Sequence, residues 1–230
     1  MENEEIEKLK KAGKIAGEVV EYAVGMIKRG MLLVEIAEKI EAKIIELKGK
    51  PAFPVNLSIN EIAAHCTPSF DDKEIARELL KVDIGVSVDG YVADTAFSID
   101  LADNEKSSKE NKKLIEAAEN ALKKAVEVIS LNIELREVGR VIEDEIVKNG
   151  FQPIRNLSGH RIERYDLHAG ITIPNYDNSS SFKIPEGTYA IEPFSTNGAG
   201  AVRDGKPSGI YHLKKEGAVR DIFAREVLKF

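Results

Sequence analysis

Apolar residues recur every three to four positions at Ile6, Leu9, Ala16, Val20, Ala23 and Ile27. The spacing predicts an amphipathic helix over 4–29, stopped by Gly30. Leu33, Ile36, Ala37, Ile40, Ile44 and Leu47 repeat the pattern and predict a second helix over 33–48. GKPAFPV then breaks the helix and starts an extended segment. After the polar stretch ADNEKSSKEN the helical period returns twice. It runs first on Leu114, Ala117, Ala121, Ala125 and Val128, then on Leu135, Val138, Val141, Ile142 and Ile146, with Asn149-Gly150 as the stop. Beyond residue 170 the pattern gives a strand in TYAIEPFS, a Gly-rich turn in NGAGA and a last helix over 217–229, with Phe230 closing the chain inside that apolar pattern.

Between the helix pairs the period changes to two. KVDIGVSVDGYVADTAF, residues 81–97, alternates as a β-hairpin with Asp89-Gly90 at its turn. Val88 then faces Tyr91, Gly85 faces Asp94, and Ala96 faces Asp83. Asp83 and Asp94 fall on one face as diagonal neighbours, with Cα atoms about 7–8 Å apart. Gly85 leaves that face open opposite Asp94. The other face, with Val82, Ile84, Val86, Val88, Tyr91, Ala93, Thr95 and Phe97, is a core face. Two such carboxylates can bracket one or two metal ions, since paired metals lie about 3.5–4 Å apart. The plain alternative is a solvent-facing strand. Against it stand the scarcity of Asp in strands and the apolar neighbours Val92, Ala93 and Ala96.

The chain has 230 residues, 43% of them hydrophobic, enough for one sizeable core. A net charge of -6 without a basic stripe argues against nucleic acid. The single cysteine, Cys66, excludes an intrachain disulfide and suits a reducing, cytoplasmic setting. The charged start MENEEIEKLKK has no signal-peptide core, and no apolar run reaches membrane-span length.

The triplet Asn-Leu-Ser occurs at Asn56 and at Asn156, each time after a helix and a Pro-containing extended segment. The order of elements predicts two halves built alike, with a site between them. Further ligand candidates are His160, after Gly159, and Glu192 in TYAIEPF. Taken singly, they have dull alternatives, a turn histidine and an edge-strand charge. His65 and His168 are as ordinary when seen alone, and His212 in YHLKK reads as surface. There is no H-E-x-x-H, P-loop, G-x-S-x-G or C-x-x-C motif. Cys66 and His65 form no dyad, since adjacent strand residues point opposite ways.

In this order AFPVNLSINEIAAHCTP, KVDIGVSVDGYVADTAF, LSGHRIERYDLHAGI and YAIEPFSTNGAGA resemble the methionine aminopeptidases of type II, from about residue 4 to the end. The resemblance implies an α+β pita-bread fold, two pseudo-symmetric αβ halves around a curved antiparallel sheet. It implies a catalytic domain over 1–200 and the start of a helical insert over 201–230. The implied activity is removal of the N-terminal methionine from proteins and peptides. Two divalent metal ions (Co, Mn, Fe or Zn) are the implied cofactor, and a hydroxide bridging them is the implied nucleophile.

By position, Asp83 would chelate one metal, Asp94 would bridge both, and His160 and Glu192 would hold the other. Glu192 would also pass the proton of the attacking water to the leaving amine. His168 would contact the scissile peptide and stabilise the tetrahedral intermediate. His65 would line the site beside the substrate N-terminus, and Phe53 would form part of the methionine pocket. Cys66 departs from the tyrosine usual after that histidine.

The family's fifth ligand, a second bridging Glu on a late strand, has no match in the sequence. The expectation is an incomplete C-terminal part: a fragment, a truncated reading frame, or half of a split protein completed by a separate C-terminal chain. The expected costs are a lost bridge between the metals and an unpaired sheet edge. The expected partners are nascent N-termini, with no nucleic acid or membrane, and the expected state is a monomer. Two other readings remain, a proline dipeptidase of the same fold and a non-catalytic pita-bread binding protein.

Overall fold

A computed structural model describes residues 2–211, 213 and 217–228. His212, the end of the last predicted helix and Phe230 lie outside the described residues.

Two helix pairs of matching length carry the architecture. Helix α1 (Asn3–Met26) and α2 (Leu33–Glu46) have 24 and 14 residues, and α3 (Glu105–Val128) and α4 (Leu135–Lys148) again have 24 and 14. Each pair leads to a two-residue strand ending in proline, β1 (Lys50–Pro51) and β5 (Gln152–Pro153). The twofold plan expected from the Asn-Leu-Ser repeat is thus built into the element lengths.

Local chemistry sets the helix ends. The Glu5 side chain accepts the Glu2 backbone N–H at 2.8 Å and so starts α1. The helix stops four residues before Gly30, because Ile27 is already extended, with ψ 129°, and is packed into the core. Helix α3 starts within the polar stretch that the sequence pattern left as a separator. Asn104 accepts the Ser107 N–H at 2.9 Å, and Asp100 accepts from Ser108 and Asn111, so the polar first turns are satisfied as helix. Asn149-Gly150 ends α4 as predicted, with Gly150 at φ +83°.

The strands β2 (Asn56–Ile59), β3 (Glu78–Val88) and β4 (Tyr91–Leu101) join β1 in an antiparallel sheet. Asp89 and Gly90 both take positive φ, 53° and 86°, as a type I′ turn requires. The register follows: Val88 faces Tyr91, Gly85 faces Asp94, and Asp83 faces Ala96. Strand β3 is central, with β1 and β2 along one edge and β4 along the other, and among the described residues no strand pairs with the outer edge of β4. On the core face Val82, Ile84 and Val86 are buried against Ile15, Val19, Ile36 and Ile40 of the first helix pair. The β4 side of that face is only half-buried, and Ala96, on the aspartate face, is exposed.

In the second half β6 (Ser158–Ile162) lies between β7 (Thr172–Pro174) and β8 (Thr188–Ala190), while β5 pairs with β9 (Ser195–Thr196). Ala121, Ala125, Val138, Ile142, Ile146 and Ile173 form its core. The predicted single strand in TYAIEPFS is divided: Ile191–Phe194 leave the ladder between β8 and β9. Pro193 has no N–H to give a ladder, which accounts for the break. Helix α5 (Ile222–Val227) is shorter than the predicted 217–229 and buries none of its side chains. A third apolar cluster, Val92, Ile162 and Ala190 with Ala52 and Leu167, joins the halves.

Candidate metal centre

Asp94 and His160 reach the same point from opposite halves. Asp94 projects from β4 and His160 from the middle of β6, and Glu192 enters from the irregular segment after β8. One ligand atom from each lies within 4.8 Å of the others. His160 Nε2 is 3.0 Å from Glu192 Oε1 and 3.5 Å from Asp94 Oδ2. The sequence pattern put Glu192 in a strand. Its release from the ladder frees its carboxylate to turn toward His160.

The electrostatics fit a cation. Burial pushes the His160 imidazolium down, but the adjoining carboxylates of Asp94 and Glu192 outweigh it and lift its pKa to about 10. Burial, then the charges of Asp94 and Glu192, push Asp83 up to about 8. Asp83 lines the same cavity but is not one of the three converging ligands. Glu192 Oε1 is fully buried and accepts no well-angled hydrogen bond, a cost that a cation would remove. One imidazole and several carboxylates, with no thiolate, suit Mn, Fe, Co or Zn. The residues therefore fit a divalent metal.

The cavity around these groups has a volume of about 510 Å³ and is partly open to solvent. His65, Phe53 and His168 all line it, so every residue that the sequence pointed to for the site borders one space. The His168 and His160 rings meet edge to face with centroids 4.3 Å apart. Burial, then the neighbouring His160, hold the His168 pKa below its ordinary value. His65 sits in a loop at φ +57° and is exposed. The segment around Cys66 is likewise loop, not strand, so the strand argument against a His65–Cys66 dyad does not apply. Cys66 does not line the cavity, and burial, then Asp72 and Glu74, raise its thiol pKa.

Gly85 does not leave open space, as its place opposite Asp94 suggested. The Phe53 ring covers it, and a Cβ there would lie 2.4 Å from Phe53 Cε1 and 2.9 Å from the Ala52 Cβ. Gly85→Ala is expected to push the ring into the cavity and raise KM for a methionyl peptide about 5–10-fold, roughly 1–1.4 kcal/mol of lost binding. Steady-state kinetics checks this, and an unchanged KM would remove Phe53 from the pocket.

Asn56 and Asn156 were seen as a repeat but not as site residues, yet both line the cavity, one from each half. The Asn156 side chain donates to the Val202 carbonyl at 2.7 Å and accepts its N–H at 2.8 Å, which fixes the following segment. Ser208 and Ile210, farther along that segment, border the cavity too.

The sequence pattern of metallopeptidase family M24 matches residues 7–221. The chain belongs to this family of metallopeptidases. It is 52% identical over 228 residues to the methionine aminopeptidase of Pyrococcus abyssi (strain GE5 / Orsay), an alignment covering 97% of this chain and 75% of that protein. The crystal structure of methionine aminopeptidase from Thermotoga maritima is similar with TM-score 0.82 and 26% identity, over 91% of this chain and 87% of that one. The prolidase from Pyrococcus furiosus gives TM-score 0.68 and 25% identity, over 84% of this chain but 56% of its own length. The fold is the α+β pita-bread fold of these peptidases, and the cofactor is divalent metal.

Proposed function

We infer that this chain is a methionyl aminopeptidase that hydrolyses the bond after an N-terminal methionine. The observation that carries the reading is the convergence of Asp94, His160 and Glu192 at the floor of a cavity a peptide end can enter. The methionine aminopeptidases among its relatives, about half identical to it, set the substrate class.

Asp83, Asp94, His160 and Glu192 are assigned as the residues that hold the metal. Bound divalent metal acidifies water, from a pKa of 15.7 to about 7 in favourable sites, and so supplies hydroxide at neutral pH. The protein's own groups do the rest. Glu192 takes the proton of the attacking water and passes it to the leaving amine. His168 donates its ring N–H to the oxygen of the scissile carbonyl as charge develops there. Phe53 packs against the methionine side chain, and His65 flanks the substrate N-terminus.

We place the catalytic domain at 1–200 and the start of a helical insert at 201–230, where α5 stands exposed. We place the chain in the cytoplasm as a monomer acting on nascent N-termini. No described helix is long and apolar enough to cross a membrane.

The test is methionine release from Met-Ala-Ser by the purified chain in Mn or Co. Dialysis against EDTA is expected to remove turnover, and added Mn to restore it. Ala-Pro serves as the control for dipeptidase activity. Chelator-insensitive release, no release with metal, or faster cleavage of Ala-Pro would each overturn the reading.

A further inference from the structure

The turn just before His168 grips the hairpin tip of the other half. Glu163 and Asp166 form an isolated bridge, with backbone bonds of 2.8 and 3.0 Å between them, so 163–166 is a tight turn off the end of β6. Its apex meets Asp89-Gly90. Arg164 Nε donates to the Asp89 carbonyl at 2.9 Å, and the Tyr165 backbone N–H donates to the Gly90 carbonyl at 2.9 Å. The Arg164 guanidinium also lies between two rings, 5.3 Å from the Tyr91 centroid and 5.2 Å from that of Tyr165. Both distances are within cation–π range. The Tyr91 hydroxyl in turn donates to Glu5 of α1 at 2.9 Å.

The fit has two unusual features. Tyr165 takes φ +60°, a region that costs a bulky residue energy. Gly90, itself at φ +86°, lies so close under the Tyr165 ring that a Cβ there would be 2.6 Å from it. Backbone strain on one side and a missing side chain on the other are matched at one contact.

This contact sits at the end of a short lever. Asp166 accepts the His168 backbone N–H at 3.2 Å, and Ala169 returns to β6 through a 2.9 Å bond to the Arg161 carbonyl. The same hairpin carries Asp83 and Asp94, while β6 carries His160. We propose that Arg164 and Tyr165 are positioning residues: by clasping the hairpin tip they hold His168, and the register of Asp94 against His160, across the seam between the halves. The catalytic consequence rests on the methionyl aminopeptidase reading, whereas the clasp itself does not. Misplacement by about 1 Å at a catalytic group can cost up to about 100-fold in rate.

The experiment compares the parent chain with Arg164→Ala, Gly90→Ala and Tyr165→Phe. Backbone hydrogen exchange of residues 163–171 is followed by mass spectrometry, alongside melting temperature and Met-Ala-Ser kinetics in Mn. Arg164→Ala is expected to speed exchange across 163–171 and to lower kcat at least tenfold. KM should stay within twofold and the melting temperature within a few degrees. Gly90→Ala should give the same pattern from the opposite side of the contact. Tyr165→Phe keeps the ring and the backbone N–H, so it should match the parent. Unchanged exchange in Arg164→Ala overturns the clasp whether or not the parent is active. Faster exchange with unchanged kcat, or a loss confined to KM, overturns the positioning role. A parent that releases no methionine counts against the enzymatic reading alone.

Discussion

Asp94→Asn is expected to remove more than about 100-fold of the methionine-releasing activity and to weaken Mn binding, while the chain stays folded. The substitution keeps size and shape and takes away one negative charge. Changes to groups that merely orient a metal ligand cost about 10–100-fold, so loss of a ligand placed against His160 costs more. Asp94 has that place, with Oδ2 3.5 Å from His160 Nε2. The fold loses part of the pairing that raises His160, but it gains relief at Asp83. Asp83 is raised to about 8 first by burial and then by the charges of Asp94 and Glu192, so removing one of those charges relieves a crowded acidic site. The two effects oppose each other, so the melting temperature of the metal-free variant is expected to stay within a few degrees of that of the parent. Asp94→Ala should abolish metal-dependent release as well, without the control on shape. Calorimetric titration with Mn, kcat/KM and a thermal melt check the three parts. Near-normal turnover by either variant would remove Asp94 from the ligand set.

The hairpin and its two aspartates were legible because the information is local. Asp89-Gly90 selects one turn type, the turn fixes the register, and a period of two fixes the faces. The helix pairs were legible for the same reason, down to the Gly150 stop. What the pattern missed depends on distant partners or on satisfied polar groups. The first turns of α3 look like a loop because they bury little, and they are helical because Asn104 and Asp100 cap and brace them. Gly85 looked like open space, but Phe53, far back in the chain, fills it. Glu192 was legible as a ligand candidate and not as a residue outside the ladder, although Pro193 beside it was the available signal. Asn56 and Asn156 gave a repeat whose meaning appeared only when both proved to border one cavity. The clasp at Gly90 had no sequence signal, since its partner is the ring of Tyr165 in the other half.

Gly159→Ala is expected to cost much stability, although it adds a single methyl group. Gly159 lies in β6, next to His160, and β6 is sandwiched between β7 and β8. A Cβ there would lie 2.2 Å from the Ala190 carbonyl oxygen, 3.0 Å from its carbon and 3.1 Å from the Ile191 Cα. All three are backbone atoms, so no side-chain rotation relieves the clash and β8 itself must move. Overpacking usually costs about 1–3 kcal/mol, and a clash against backbone belongs at or above the top of that range. For a chain of this size each kcal/mol lowers the melting temperature by about 2–4 °C, so a fall of roughly 6–12 °C is expected. Displacing β8 also carries Glu192, two residues beyond Ala190, away from His160, so Mn affinity should fall in whatever fraction stays folded. Gly17→Ala is the control. Gly17 is exposed in α1 with nothing within 4 Å of its added Cβ, and alanine there should gain up to about 1 kcal/mol of helix propensity. Equal melting temperatures for the two variants would mean that β6 and β8 are not packed backbone to backbone at Gly159. The close seating of His160 beside Glu192 would then need another cause.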